Sequence, residues 1–485
     1  MSKLKSLAGH TVIYGASSIL GRLLNYILVP LHTGIFTAAE YGSITNLYAY
    51  TAVFLIIYLC GMETAYFRFG TKHKESENKY FSASFFVVLL VSTVISGTII
   101  LFSNQIASAA HYPHLAHCVR WLAMLMFADA IVAIPFAKLR LENKALRFAI
   151  TKLLNIGLTL LLNIWFYTLN DPENGVFTNF YEGELIVSFV FLANLISNSL
   201  LVVLVADVFF KINLNFRQEH IRTLLGYSWP LVFMGLGGMT NEMFSRVILE
   251  FLLSDDLYTG YNAQEALGIF GACYKLTVFM ALATQAYRYA AEPFFFSSAA
   301  DKTSPEFFAQ STHWFIVLGC LTCFGVSANL NLIAPLVLKK DIFLEGLDVV
   351  PILLMGSLML GVYFNLSIWY KIKEKTVIGM YISLTGAVLT IVGNVIMVPI
   401  LGYHGSAAVT LFTYCFMVAV SYIIGQRQYP IPYMLIDLVY LVATAVISYL
   451  IYSVFNPDMI QGIVFSFLGV IFVLFVERKR LPSKK

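Results

Sequence analysis

Fourteen apolar stretches of about 20 residues each make up most of this 485-residue chain, and a helix of that length crosses a hydrocarbon core ~30 Å thick. They run approximately over 9–36, 41–66, 80–103, 116–137, 148–168, 185–210, 223–252, 267–296, 307–330, 349–370, 377–400, 405–424, 434–455 and 460–476. The basic residues fall between them with a strong alternation. Of 31 Lys and Arg, 24 lie at the N-terminus, in every second connection or, for Lys152, just inside the edge of one, and only Lys339 and Lys340 lie in the other set. That bias orients a multi-pass protein of a cell's inner membrane, with basic loops and both termini cytoplasmic. Five other cations remain inside apolar stretches: Arg22, Arg120, Arg246, Lys275 and Arg288. Each costs about 2.5–3.5 kcal/mol at mid-bilayer, so they imply a wet, polar interior and hence a transporter.

Hydrophobic residues make up 59% and charged residues 12%, where a soluble domain carries about a quarter charged. The net charge of +4 is spread over many short loops, which does not point to nucleic acid as a partner. The stretch after Lys3 and Lys5 is too long for a signal peptide, carries Arg22 at its centre and lacks a small-residue cleavage site, so it reads as the first span. Six cysteines sit in or beside apolar stretches and read as packing residues. Cys320 and Cys323 have metal or redox spacing but no second pair. His111, His114 and His117 recur at i, i+3 and i+6 without an acidic or cysteine partner, so no metal site is expected. Trp121, Trp165, Trp229, Trp314 and Trp369 fall near span ends, as an interfacial aromatic belt would place them. No phosphate-binding loop or other cofactor motif is present, and none of the loops is long enough for a soluble domain.

Arg22 precedes Tyr41-Gly42-Ser43-Ile44 and Tyr48 much as Arg246 precedes Leu267-Gly268-Ile269-Phe270 and Tyr274. Six spans separate the copies, which describes a parallel repeat. The expected architecture is all-α and integral to the membrane, with about 14 transmembrane helices. It divides into a first six-helix bundle (1–222), a second (223–424) and a C-terminal two-helix extension with a basic tail (425–485).

Ser18, Arg22 and Pro30-Leu31, followed by Glu40-Tyr41-Gly42, resemble the opening of polysaccharide-biosynthesis (Wzx-type) flippases, in the multidrug/oligosaccharidyl-lipid/polysaccharide exporter superfamily. Thr37-Ala38-Ala39 departs from relatives that often carry a proline there. The resemblance implies movement of an undecaprenyl-diphosphate-linked oligosaccharide from the inner to the outer leaflet: an O-antigen, capsule or exopolysaccharide repeat unit. It implies membrane lipid and other polysaccharide-assembly proteins as partners, and a role for the basic position that Arg22 matches.

A diphosphate needs cations to offset its lost hydration, and arginine binds phosphate oxygens bidentately. Arg22 stands mid-span with Asn25 and Tyr26 on the same face; an intramembrane structural pairing is the alternative. Arg246 has Glu242 and Glu250 four residues to either side, which makes it a packing pair or makes Glu242 an ion site that releases it. Lys275 reads as a cavity cation, Arg288 with Glu292 as a boundary salt bridge, and Arg120 as snorkelling to headgroups. Asp129, in mid-span, is the foremost acid for coupling to an ion, with a neutral hydrogen-bonded acid as the alternative. Glu63 and Arg68 close the second span as an inner gate or a solvated pair. Rival functions are a lipid II-type flippase, a multidrug or cation antiporter, and, more remotely, a membrane polysaccharide polymerase or acyltransferase. The last would need a histidine centre, for which only His32 and His313 approach the membrane.

Overall fold

The structure, a computed structural model, describes residues 19–21, 23–24, 26–169, 185–213, 215–258, 260–298, 304–373 and 375–478. Helices dominate, and among the described residues there is no strand. A chain in lipid must satisfy its backbone within each segment, and the helix does so.

Two compact units form, one from Met1–Phe36 and Ser43–Val247, the other from Thr37–Gly42 and Ile248–Lys485. In the first unit the described helices are α1 (Leu28–Ile35), most of α2 (Ala38–Leu59), α3 (Met62–Lys72), α4 (Glu77–Leu101), α5 (Ser103–Ala109), α6 (Ala116–Leu141), α7 (Ala145–Ile164), α8 (Leu185–Leu204), α9 (Ala206–Phe209) and most of α10 (Gln218–Leu252). α6 is the most enclosed of them and packs on α3, α4, α7 and α8.

The second unit continues with α11 (Ala263–Lys275), α12 (Val278–Ser298), α13 (Ser304–Ala328), α14 (Leu330–Val337), a 3-10 turn over Asp341–Val349, α15 (Val350–Leu366), α16 (Ile368–Ile372), α17 (Thr376–Gln428), α18 (Leu435–Leu450) and α19 (Met459–Glu477). α13 and α15 form its centre, and α13 also carries α18 and α19. Asn262 and Glu265 close a capping box on α11, and Asp458 and Gln461 close one on α19.

Ten helices are long and apolar enough to cross a membrane among the described residues, eleven if the bent pair α11–α12 counts as one span. Three causes separate this from fourteen. The first part of the expected span 9–36 lies outside the described residues, and the continuous helix described within it is only the eight-residue Leu28–Ile35. α10 forms over 35 residues but is too polar along its length to pass. Spans 377–400 and 405–424 are both helical but abut at a kink at Gly402, whose φ is +57°, so they count once within α17. Glycine is needed there: a Cβ would lie 1.9 Å from the Tyr258 hydroxyl, which accepts the Tyr403 N–H at 2.9 Å.

The glycines of the sequence repeat meet. A Cβ on Gly268 would lie 1.8 Å from the Ala38 carbonyl oxygen, and one on Gly42 would lie 2.8 Å from that of Gln264. The expected Trp belt holds in part. Trp165, Trp229 and Trp314 are exposed, but Trp369 is fully buried beneath Gly425, so it packs a core rather than an interface.

Candidate functional site

Polar side chains in the first unit gather on one stripe. Along α7, Lys152, Asn155, Thr159 and Asn163 are spaced three, four and four apart, which places them within about 80° of arc and ~16 Å of helix. Asn155 Nδ2 donates to Asn198 Oδ1 of α8 at 2.9 Å, and Asn198 Nδ2 donates to Asp129 Oδ1 of α6 at 2.8 Å. One turn along α8, Asn194 Nδ2 donates to the Tyr48 hydroxyl of α2 at 2.8 Å. Asn163 gives its amide N–H to Thr159 O and its Oδ1 meets His32 Nε2 of α1 at 2.9 Å. Tyr48 and Lys152 both stand within electrostatic reach of Asp129. In hydrocarbon, each of these groups is costly unless satisfied, and here they satisfy one another.

Asp129 therefore sits in a built polar chain rather than an apolar wall. Lys152 was read with the inner loops, yet it stands about 10 Å inside α7. Its ammonium lies 5.4 Å from the Phe148 ring centre and 5.6 Å from that of Phe136. The spacing of Asn155, Thr159 and Asn163 within an apolar helix was the available signal for this stripe.

Other expected residues lie elsewhere. Arg22 and Asn25 lie outside the described residues, as does the side chain of Glu292. Arg288 lies over the Phe364 ring at 4.5 Å. Lys275 is not inside a continuous span: it ends α11, is exposed, and precedes a 41° bend into α12. Arg246 is buried on α10 with Nη1 2.9 Å from Met243 Sδ, and Glu242 is half-buried one turn before it. Glu63 takes Arg140 as its ion partner, while the Arg68 guanidinium lies over Tyr227 at 4.5 Å.

Basic residues read only as topology markers do more. Lys138 is 2% exposed and donates to both Glu77 oxygens at 3.0 and 3.1 Å and to Asn78 Oδ1 at 2.7 Å. In the turn between α6 and α7, burial raises the Glu142 pKa, but bonds from Lys144 and Lys211 outweigh it and hold the carboxyl below its ordinary range. The Arg147 bond holds Asp207 below its ordinary range as well. Among the described residues no group of three His, Cys, Asp or Glu is arranged to hold a metal ion. His117 instead meets the Ser188 hydroxyl at 2.6 Å.

The second unit carries an apolar groove of about 600 Å³ bounded by α13, α15, α17 and α18. Met355, Met359, Leu411, Val418 and Leu438 form its wall, and Asp437 is its acidic residue.

The profile of the polysaccharide biosynthesis protein family matches residues 33–304, more than half of the chain. No curated protein matches. Among solved structures, the lipid II flippase MurJ in an inward closed conformation is similar over 97% of this chain and 100% of its own, with TM-score 0.75 and 13% identity. An inward-facing multidrug resistance MATE family transporter of the MOP superfamily is similar over 86% of this chain and 94% of its own, with TM-score 0.65 and 15% identity. A MOP superfamily transporter from Pyrococcus furiosus, described as having a binding pocket of reversed polarity, is similar over 87% and 95%, with TM-score 0.58 and 15% identity. These likenesses establish a fold shared with flippases and transporters rather than enzymes. The chain is a multi-pass membrane protein of the polysaccharide biosynthesis protein family, with the fold of the MOP superfamily transporters.

Proposed function

We propose that the protein moves an undecaprenyl-diphosphate-linked oligosaccharide across the cytoplasmic membrane by alternating access, with both termini on the cytoplasmic side. The observation that carries this reading is the groove. An apolar trough of about 600 Å³ suits a hydrocarbon tail, whereas a water-soluble cation has no use for it. The polar stripe from Lys152 to Asn163 supports a separate wet environment for a headgroup, and the family supports a glycan on it. Arg22 is the proposed diphosphate ligand, since a guanidinium replaces lost hydration bidentately. Asn25, Arg246 and Lys275 are proposed to assist, and Asp129 and Glu242 to exchange an ion. Glu63, Arg68, Arg288 and Glu292 are proposed as gate or boundary charges.

A lipid II-type substrate is the second reading, favoured by the likeness to MurJ over nearly the whole chain. It shares the carrier and differs in the sugar. A polyprenyl diphosphate with a diazirine in its tail tests what the two readings have in common. After illumination, labelled peptides should come from α15, α17 and α18, and excess unlabelled polyprenyl diphosphate should suppress them. Equal labelling by a diacyl lipid probe, or labelling confined to other helices, would overturn the reading.

A further inference from the structure

Helix α19 is almost entirely apolar and faces outward, and its buried residues are Gly462 near one end and Glu477 at the other. A lipid-facing helix gains little from hydrophobic burial against its neighbours, so small-residue packing and polar contacts decide whether it docks. At the first end Asn329 Nδ2 donates to Ser466 Oγ at 2.7 Å, and Gly462 lets α13 approach closely. At the other end Glu477 meets a histidine.

That histidine, His313 of α13, is 1% exposed and has an acid on each side. Its Nδ1 lies 2.5 Å from Asp437 Oδ1 of α18, and its Nε2 lies 3.2 Å from Glu477 Oε2 of α19. The Tyr440 hydroxyl of α18 donates to the other Glu477 oxygen at 2.7 Å. One ring thus ties both C-terminal helices to α13. The arrangement needs a proton at each ring–carboxylate contact, either as imidazolium between two carboxylates or as imidazole with one carboxylic acid. Removing one of the two protons sets two lone pairs against each other in a dry site, and the contact becomes repulsive.

We propose that His313, Asp437 and Glu477 form a proton-binding site whose occupancy holds α18 and α19 docked on α13. Asp437 also lines the apolar groove, as does Thr312 beside His313, so release moves a groove wall. The docking itself does not depend on what the groove holds. The ionisable groups around the ring are known element by element. α13 itself adds Cys320, which shares a hydrogen bond with Thr444 and senses Asp437. α18 brings Asp437 and Tyr440, and α19 brings Glu477. From α12, Tyr287 meets Ser311 at 2.6 Å, while Arg288 is turned to Phe364. α15 contains no charged residue, and its Tyr363 bonds Tyr370. Tyr433, just before α18, faces Tyr287 and Tyr422.

The test uses the full chain in nanodiscs, with spin labels on non-natural residues at the exposed positions Phe307 and Leu474, leaving the native cysteines in place. The docked state holds a proton at each of the two ring–carboxylate contacts, so docking is complete at low pH and is lost as pH rises and one of those protons leaves. The ratio of docked to released populations, read from the distance distribution, should then fall about tenfold per pH unit through the transition, as one proton's linkage requires. Glu477→Gln, whose amide donates to a neutral imidazole, should stay docked throughout, and His313→Gln should lose the pH response. A wild-type distance unchanged from about pH 3 to about pH 10, a range spanning the ordinary carboxylate and histidine titrations, would overturn the proposal. So would a Glu477→Gln variant that releases with the wild-type profile. That variant decides the matter even if His313→Gln does not fold.

Discussion

Asp129 and Asn198 offer a direct measurement of how much the polar chain contributes. Asp129→Leu removes the acceptor of the 2.8 Å bond and leaves the half-buried Asn198 amide without it. Asn198→Leu removes that donor and also the acceptor that Asn155 uses at 2.9 Å. Leaving a buried donor or acceptor unsatisfied costs about 1–3 kcal/mol per group, so Asn198→Leu, which orphans two groups, should be the more damaging. Interhelical hydrogen bonds in membranes average about 0.6 kcal/mol and reach about 1.7. A carboxylate acceptor belongs at the upper end of that range, so a double-mutant cycle should return a coupling of about 1–1.5 kcal/mol. Asp129→Asn keeps an oxygen for Asn198 and should cost under about 1 kcal/mol, because a neutral bond replaces a charge-assisted one. Its effect should appear instead in turnover, which the removal of an exchangeable charge slows. Steric-trapping unfolding in bicelles gives the free energies, and transport in reconstituted vesicles gives the rates. A coupling below about 0.3 kcal/mol, within the additivity expected of independent sites, would refute the chain as an energetic unit. Turnover of Asp129→Asn at the wild-type rate under both proton and sodium gradients would refute the coupling role.

The Gly42–Gly268 contact predicts that Gly268→Val costs about 2–3 kcal/mol by overpacking, since its Cβ falls 1.8 Å from the Ala38 carbonyl oxygen. Gly97→Ala, with nothing within 4 Å, should be neutral or slightly stabilising in the same thermal unfolding assay, and equal melting of the two would refute the contact. Glu142 predicts an acid-sensitive component. Its folded pKa lies below the unfolded value, so its contribution is full above that ordinary value and is lost as pH falls through the folded pKa. The melting difference between wild type and Glu142→Gln should be present at neutral pH and vanish on acidification; a difference that grows on acidification would contradict the pairing with Lys144 and Lys211.

Much of the fold was legible because a bilayer imposes a simple rule on helix length and composition. Most apolar stretches predicted from hydropathy recur as helices with nearly the same limits, such as 434–455 against Leu435–Phe455. The two spans 377–400 and 405–424 recur on either side of the kink at Gly402, where Tyr258 occupies the space a side chain would need. The errors arise where side-chain contacts override that rule. Lys152 was grouped with the inner basic loop although it lies inside the predicted stretch 148–168, and its helix begins earlier still, at Ala145. Asp129 was visible as a lone acid, but its partners come from α7 and α8 and left only a three- and four-residue spacing to find. His313 and Asp437 are 124 residues apart, and nothing local marks either as half of a pair. Long-range polar pairing is the part that a single sequence conceals.

Transport of the substrate itself tests the central claim most directly. Vesicles holding the purified chain would carry a fluorescent undecaprenyl-diphosphate oligosaccharide whose glycan an added glycosidase cleaves only in the outer leaflet. With the protein present, cleavage should pass the outer-leaflet half and approach completion, and Arg22→Ala at equal abundance should hold it at the protein-free level. Cleavage that stops at the outer-leaflet half with wild-type protein, in vesicles where the same protein exchanges an organic cation for protons, would contradict the account and identify a cation antiporter instead.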